Sequence, residues 1–190
     1  MDSDRDLLPE GLEDRLPAAA AAAARVTRAV IDVLDAHGYD RVQPPTIEFE
    51  KSMASRMAGV QPRRMFRFVD PASLRTLALR SDITVQVGRI AATALAGRAR
   101  PLRLCYAGQV VTIKGDGLDP TRERLQLGAE LIGSDSVAAA GEIVGAPLRH
   151  REQVGVLQRL FGSRVDLGFR QVADAQGEGL ALALDHRRIL

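Results

Sequence analysis

The alternation of apolar and polar positions is sharpest over residues 125–131, Leu-Gln-Leu-Gly-Ala-Glu-Leu. A period of two puts Leu125, Leu127, Ala129 and Leu131 on one face of a strand, and Gln126, Gly128 and Glu130 on the other. An amide and a carboxylate thus flank a residue with no side chain. The pattern suits a shallow polar recess for a small ammonium-bearing molecule; it also suits the solvated side of an antiparallel sheet. Upstream the period changes. Pro17 fits the first turn of a helix, the tract from Ala18 to Ala24 has the highest helix propensity, and Val26, Ala29, Val30, Val33 and Leu34 repeat at helical spacing. One long amphipathic helix over 17–37 is predicted, ended by Gly38 in the left-handed conformation.

Tyr39 to Val42 reads as extended, and Pro44-Pro45 keeps the chain extended while barring it from the middle of a ladder, so this segment belongs at a sheet edge or an interface. Phe66–Val69 and Leu74–Leu79, joined by Asp70-Pro71-Ala72-Ser73, read as a hairpin. A helix follows over 83–95, with Ser81 or Asp82 at its start and Gly97 closing it. Strands over 101–113 and 122–133 flank the loop Lys114–Pro120 and make a long antiparallel hairpin. A further helix is expected from Ser134 or Asp135 to Val144. Beyond it the signals weaken to a helix over 154–161, a strand over 165–169, and either one over 180–184. The first six residues read as a frayed terminus, and Pro9-Glu10-Gly11 as a turn.

Composition narrows the class. With 190 residues, 46% apolar and 26% charged, the chain can bury one sizeable core. Its formal charge is +2 and its basic residues are interleaved with acids, which gives no nucleic-acid footprint. A single cysteine, Cys105, excludes an internal disulfide, and His37, His150 and His186 lack metal-ligand spacing. The acidic amino terminus is unlike a signal peptide, and no apolar run approaches the roughly 20 residues of a membrane span. The expectation is a cytoplasmic protein with no membrane, metal or cofactor.

Four segments in order resemble the catalytic core of class II aminoacyl-tRNA synthetases, in particular the histidyl branch. They are Leu8-Pro9-Glu10-Gly11; Gly38 to Pro45 with Glu48, the dimer-forming first motif; Leu79-Arg80-Ser81-Asp82-Ile83-Thr84; and Tyr106 to Val111 running through the hairpin to Gln126–Gly133. The resemblance covers about residues 9–144. It implies an α+β fold, an antiparallel sheet flanked by helices, incomplete on its C-terminal side. The expected organisation is a synthetase-like core over 1–144 and a divergent or truncated remainder over 145–190. The resemblance further implies that Asp82, Thr84 and Gln126 hold the amino group of histidine while Glu130 faces its imidazole. The chemistry is compatible, since an ammonium wants a carboxylate plus neutral acceptors. Helix capping is the competing role for Asp82 and Thr84.

One departure changes the functional expectation. Where a synthetase grips the ATP α-phosphate with an arginine and follows it with a glutamate, this chain has Thr112 and Lys114. A threonine cannot neutralise charge developing on phosphate, so adenylation is expected to be lost. The loop Gly115-Asp116-Gly117 lacks the lysine-serine ending of a phosphate cradle and reads as a surface turn. A core that keeps the histidine contacts and loses this arginine is similar to the regulatory-subunit family of ATP phosphoribosyltransferase, and Gly117-Leu118-Asp119 suits that group. That resemblance implies no catalytic residues and a role in histidine biosynthesis. The protein would enable a short-form catalytic subunit, take part in histidine feedback, and self-dimerise within a hetero-oligomer.

Two alternatives stay open: a fragment or paralogue of histidyl-tRNA synthetase, and a structural dimer with a vestigial site. The first helix, the Pro44-Pro45 segment and the arginine-rich stretch Arg63–Arg67 are candidate contact surfaces. Arg149–Gln153 and Gln176–Gly179 match no family signature.

Overall fold

The computed structural model describes residues 7–55, 64–115, 119–139, 141–142 and 165–172. The frayed 1–6 terminus, loop residues 116–118, the helix expected over 154–161, the 180–184 segment, Arg63 and both tail stretches lie outside the described residues.

Helix α1 (Pro17–Ala36) starts with proline in its first turn and buries Ala23, Val30 and Leu34. Gly38 follows with φ +77°, and Tyr39 N–H returns to Leu34 O at 3.0 Å. The next elements are β1 (Asp40–Arg41), β2 (Ile47–Phe49), α2 (Glu50–Ala54), β3 (Arg67–Val69), β4 (Thr76–Leu79), α3 (Thr84–Ala92), β5 (Leu102–Val111), β6 (Glu123–Ile132) and β7 (Val165–Val172).

They form two sheets. In the larger, of order β1-β5-β6-β7, the predicted antiparallel hairpin β5/β6 is the centre, and β1 and β7 each lie parallel to their neighbour. The smaller sheet, β2-β4-β3, is antiparallel throughout and contains the predicted β3/β4 hairpin. A parallel neighbour cannot be reached by a tight turn, so β7 comes from well beyond β6 in sequence.

Both faces of the larger sheet are covered. On one, α1 packs Ala23, Val30 and Leu34 against Cys105, Leu125, Leu127, Ala129 and Leu131, the apolar face read from the sequence. On the other, Ile83, Val87 and Ala91 pack against Leu104, Tyr106, Val110 and Ile132. Each fully buried aliphatic side chain contributes about 1.5–3 kcal/mol, which makes this double layer the main source of stability. The polar face of β6 is therefore no solvated surface: Gln126 is 4% exposed and Glu130 1%. A third cluster, Met53, Met65 and Ala78, lies beneath the small sheet, and Glu48 on β2 forms an ion pair with Arg89 on α3. Among the described residues no helix is long and apolar enough to cross a membrane.

Candidate functional site

The first turn of α3 sits over the polar face of β6, and this crossing brings the four expected residues together. Gln126 Oε1 accepts from Ile83 N–H at 2.7 Å, and its Nε2 donates to Asp82 Oδ1 at 3.0 Å. The same Asp82 oxygen accepts from Thr84 N–H at 2.9 Å. Asp82 Oδ1 thus serves the backbone at the start of α3 and the Gln126 amide together. A carboxylate is favoured there by the partial positive charge of a helix start. Thr84 Oγ1 lies 2.9 Å from Tyr106 OH, and that hydroxyl donates to Glu130 Oε1 at 3.3 Å. One hydrogen-bonded path therefore runs from Gln126 through Asp82, Thr84 and Tyr106 to Glu130.

Tyr106 is the member whose part the sequence pattern did not reveal. Strand register sets it opposite Gly128, and an aromatic beside a glycine on the neighbouring strand is the available signal. The open recess expected over Gly128 is corrected accordingly: the tyrosine occupies that space. A Cβ on Gly128 would come 2.5 Å from the hydroxyl and 2.6 Å from Cζ, and would strike Gly168 O. What remains is a polar rim at two ends, with Asp82, Thr84 and Gln126 at one and Glu130 at the other. Backbone register places Asp166, Gly168 and Arg170 of β7 beside Gln126, Gly128 and Glu130.

A second polar group enters the same crossing. Arg80, at the end of β4, donates from Nε to Gln109 O at 2.6 Å and from Nη1 to Pro44 O at 2.9 Å. Pro45 O accepts from Gln86 Nε2 at 2.7 Å, so this proline pair serves the interior as well as the sheet edge. Burial pushes the Arg80 guanidinium below its usual pKa. Burial likewise raises the Cys105 thiol to about 11, which keeps it protonated and chemically quiet at neutral pH.

At the position of the missing phosphate arginine, the Thr112 hydroxyl donates to Lys114 O at 2.9 Å. Its cross-strand neighbour Arg122 donates from Nε to Thr112 O at 3.4 Å and from Nη1 to Glu10 O at 3.0 Å, and its guanidinium lies 4.9 Å from the Phe66 ring centroid. A separate cleft of about 230 Å³ lies between Gly11–Glu13, Arg15 and Pro120, Thr121 and Glu123. It shares no residue with the polar path, and its lining mixes acid with base.

Comparison with known proteins places the chain in a family. The family model described as histidyl-tRNA synthetase matches residues 11–190. A protein of Paramagnetospirillum magneticum named ATP phosphoribosyltransferase regulatory subunit is 46% identical over 154 residues, which cover 81% of this chain and 41% of that protein. One of the same name from Rhodospirillum rubrum is 41% identical over 181 residues, covering 95% of this chain and 46% of the relative. The chain thus spans under half the length of these curated relatives. A crystal structure from Bacillus halodurans, described as an ATP phosphoribosyltransferase regulatory subunit/histidyl-tRNA synthetase, superposes with a TM-score of 0.68 at 28% identity, over 78% of this chain and 38% of that one. By sequence and by fold, the chain belongs to the histidyl-tRNA synthetase family.

Proposed function

We propose that this chain serves as a non-catalytic regulatory subunit of ATP phosphoribosyltransferase in histidine biosynthesis. It binds histidine through Asp82, Thr84, Gln126 and Glu130, enables a short-form catalytic subunit, and carries histidine feedback to it in the cytoplasm. The observation that carries this reading is the unbroken hydrogen-bonded path through those four residues, at a site whose phosphate-gripping position holds Thr112. The names of the relatives support it. The amine end offers a carboxylate and neutral oxygens, and the far end offers a carboxylate to an imidazole N–H. The proposed assembly also pairs two copies of the chain.

Calorimetric titration of histidine tests the site. Wild type is expected to bind and Glu130→Gln to bind at least about tenfold more weakly, the loss of one charge-assisted hydrogen bond. Equal binding by the two would overturn the site. Co-purification with a short-form phosphoribosyltransferase tests the role, and a failure to associate at any salt concentration counts against it. ATP-dependent pyrophosphate exchange by the chain would instead establish a synthetase.

A further inference from the structure

The hydrogen-bonded path has a direction, and one residue sets it. Tyr106 is fully buried with Ile83, Val87 and Ala91 of the α3 segment packed on it, and its hydroxyl lies 2.9 Å from Thr84 Oγ1 and 3.3 Å from Glu130 Oε1. The neighbouring strands hold it there: a Cβ on Gly128 would come 2.5 Å from that hydroxyl, and one on Gly168 3.3 Å from it. A phenol carries a single proton and a carboxylate only accepts, so the Tyr106 proton goes to Glu130. The tyrosine oxygen is then left to accept, and the Thr84 hydroxyl is its donor.

The consequence falls on the opposite end of the site. With its proton committed to Tyr106, Thr84 Oγ1 has only lone pairs to offer, and a chain of hydrogen bonds that ends on a carboxylate makes that oxygen a stronger acceptor. Asp82 beside it is an acceptor as well, its Oδ1 taking protons from Thr84 N–H and Gln126 Nε2. An ammonium brings three protons to such a set of oxygens. A hydroxyl brings one, and sets its own lone pairs against theirs.

Resting on the amino-acid reading above, we propose that Tyr106 is a positioning residue that determines specificity: by fixing the Thr84 hydroxyl as an acceptor, it makes the site select an α-ammonium over an α-hydroxyl. It acts through Thr84 and not on the ligand, and the carboxylate at the imidazole end thereby sets the selectivity of the amine end.

The test compares histidine with its α-hydroxy analogue, imidazolelactic acid, by calorimetry on the full chain, with displacement titration where binding is weak. The two compounds share imidazole and carboxylate, so the ratio of their affinities reads the amine end alone. Wild type is expected to prefer histidine by about tenfold or more, the value of a charge-assisted contact. Tyr106→Phe is expected to lower that ratio by about threefold or more, the worth of one hydrogen bond, because the released Thr84 hydroxyl can turn and donate to the analogue. Thr84→Ser should keep the ratio, and Tyr106→Phe made in Thr84→Val should change it no further. Should Tyr106→Phe fail to fold, Glu130→Met removes the carboxylate that orients the phenol proton, and the same fall in the ratio is expected. A smaller fall in the folded variant, a ratio lost in Thr84→Ser, a further fall in the Thr84→Val background, or no preference in wild type overturns the assignment. If wild type binds neither compound, the histidine reading itself falls and this inference with it.

Discussion

Gly128 is the position where a single added carbon has most to disturb, because the Tyr106 hydroxyl and Gly168 O already fill the space a Cβ would need. Gly128→Ala must either part β6 from β7 or push Tyr106 away from Thr84 and Glu130. Overpacking of this kind costs about 1–3 kcal/mol, so the urea midpoint of the variant is expected to fall. Gly88→Ala is the matched control: it lies within α3 with nothing near the added methyl, and should stabilise by about 0.5–1 kcal/mol. An unchanged midpoint for Gly128→Ala would mean that the tyrosine does not sit there. Residue type and two-residue spacing made Gln126 and Glu130 legible in the sequence, and the Asp-x-Thr pair marked Asp82 and Thr84. The link that Tyr106 makes between Thr84 and Glu130 was not legible, because it depends on which residues of neighbouring segments the tyrosine meets.

Among the elements, α1 was legible almost to the residue, since proline, alanines and a terminal glycine act within a few residues of one another. The helix expected over 83–95 is shorter at both ends. It begins at Thr84, one residue after Ile83, and it stops at Ala92, where the Thr93 hydroxyl donates back to Arg89 O at 2.7 Å. The helix expected from Ser134 or Asp135 begins at residue 137, with Ser136 Oγ accepting from Ala139 N–H at 3.2 Å. Its Glu142 accepts from Arg103 Nε at 2.6 Å and Nη2 at 2.8 Å, and from Tyr39 OH at 3.3 Å, which ties the segment after β6 back to β5. The Arg103 guanidinium holds the Glu142 carboxyl below its ordinary value of 4.5. A carboxyl whose pKa is lower in the folded state stabilises above the unfolded value, and that contribution is lost as pH falls through the folded one. Melting temperature is therefore expected to drop on acidification below about pH 4.5, and Glu142→Gln should melt lower at neutral pH with a flatter acid slope. Parallel acid slopes for the two proteins would remove this contact from the account.

At the scale of the whole molecule, the small sheet turns outward an apolar face that the described residues leave uncovered. Across the small sheet, Phe49, Leu77 and Phe68 align in one row and Ile47 and Leu79 in the next, while Ala78 faces the interior. Ile47, Phe49 and Phe68 are exposed, and Arg75 stacks on the Phe49 ring. We assign the proposed self-pairing to this face, which a two-fold axis would set against the same face of a second copy. Light scattering should find a dimer for wild type and a shift toward monomer for Phe68→Asp, and a monomeric wild type would exclude the pairing. Of the stretch Arg63–Arg67, Met65 is buried and Arg67 pairs with Glu50, so its contact potential lies in the phenylalanines beside it. The central hairpin was legible from the sequence because its strands are neighbours along the chain. The pairing of β7 with β6 was not, because a parallel partner reached by a crossover leaves no local trace of where it docks. Thr84 opens a helix and Asp82 immediately precedes it, while Gln126 and Glu130 stand on the strand beneath. A molecule gripped from both sides would fasten the two together, so occupancy would stiffen the joint, and a neighbour leaning on the far end of α3 would sense it without ever touching the guest.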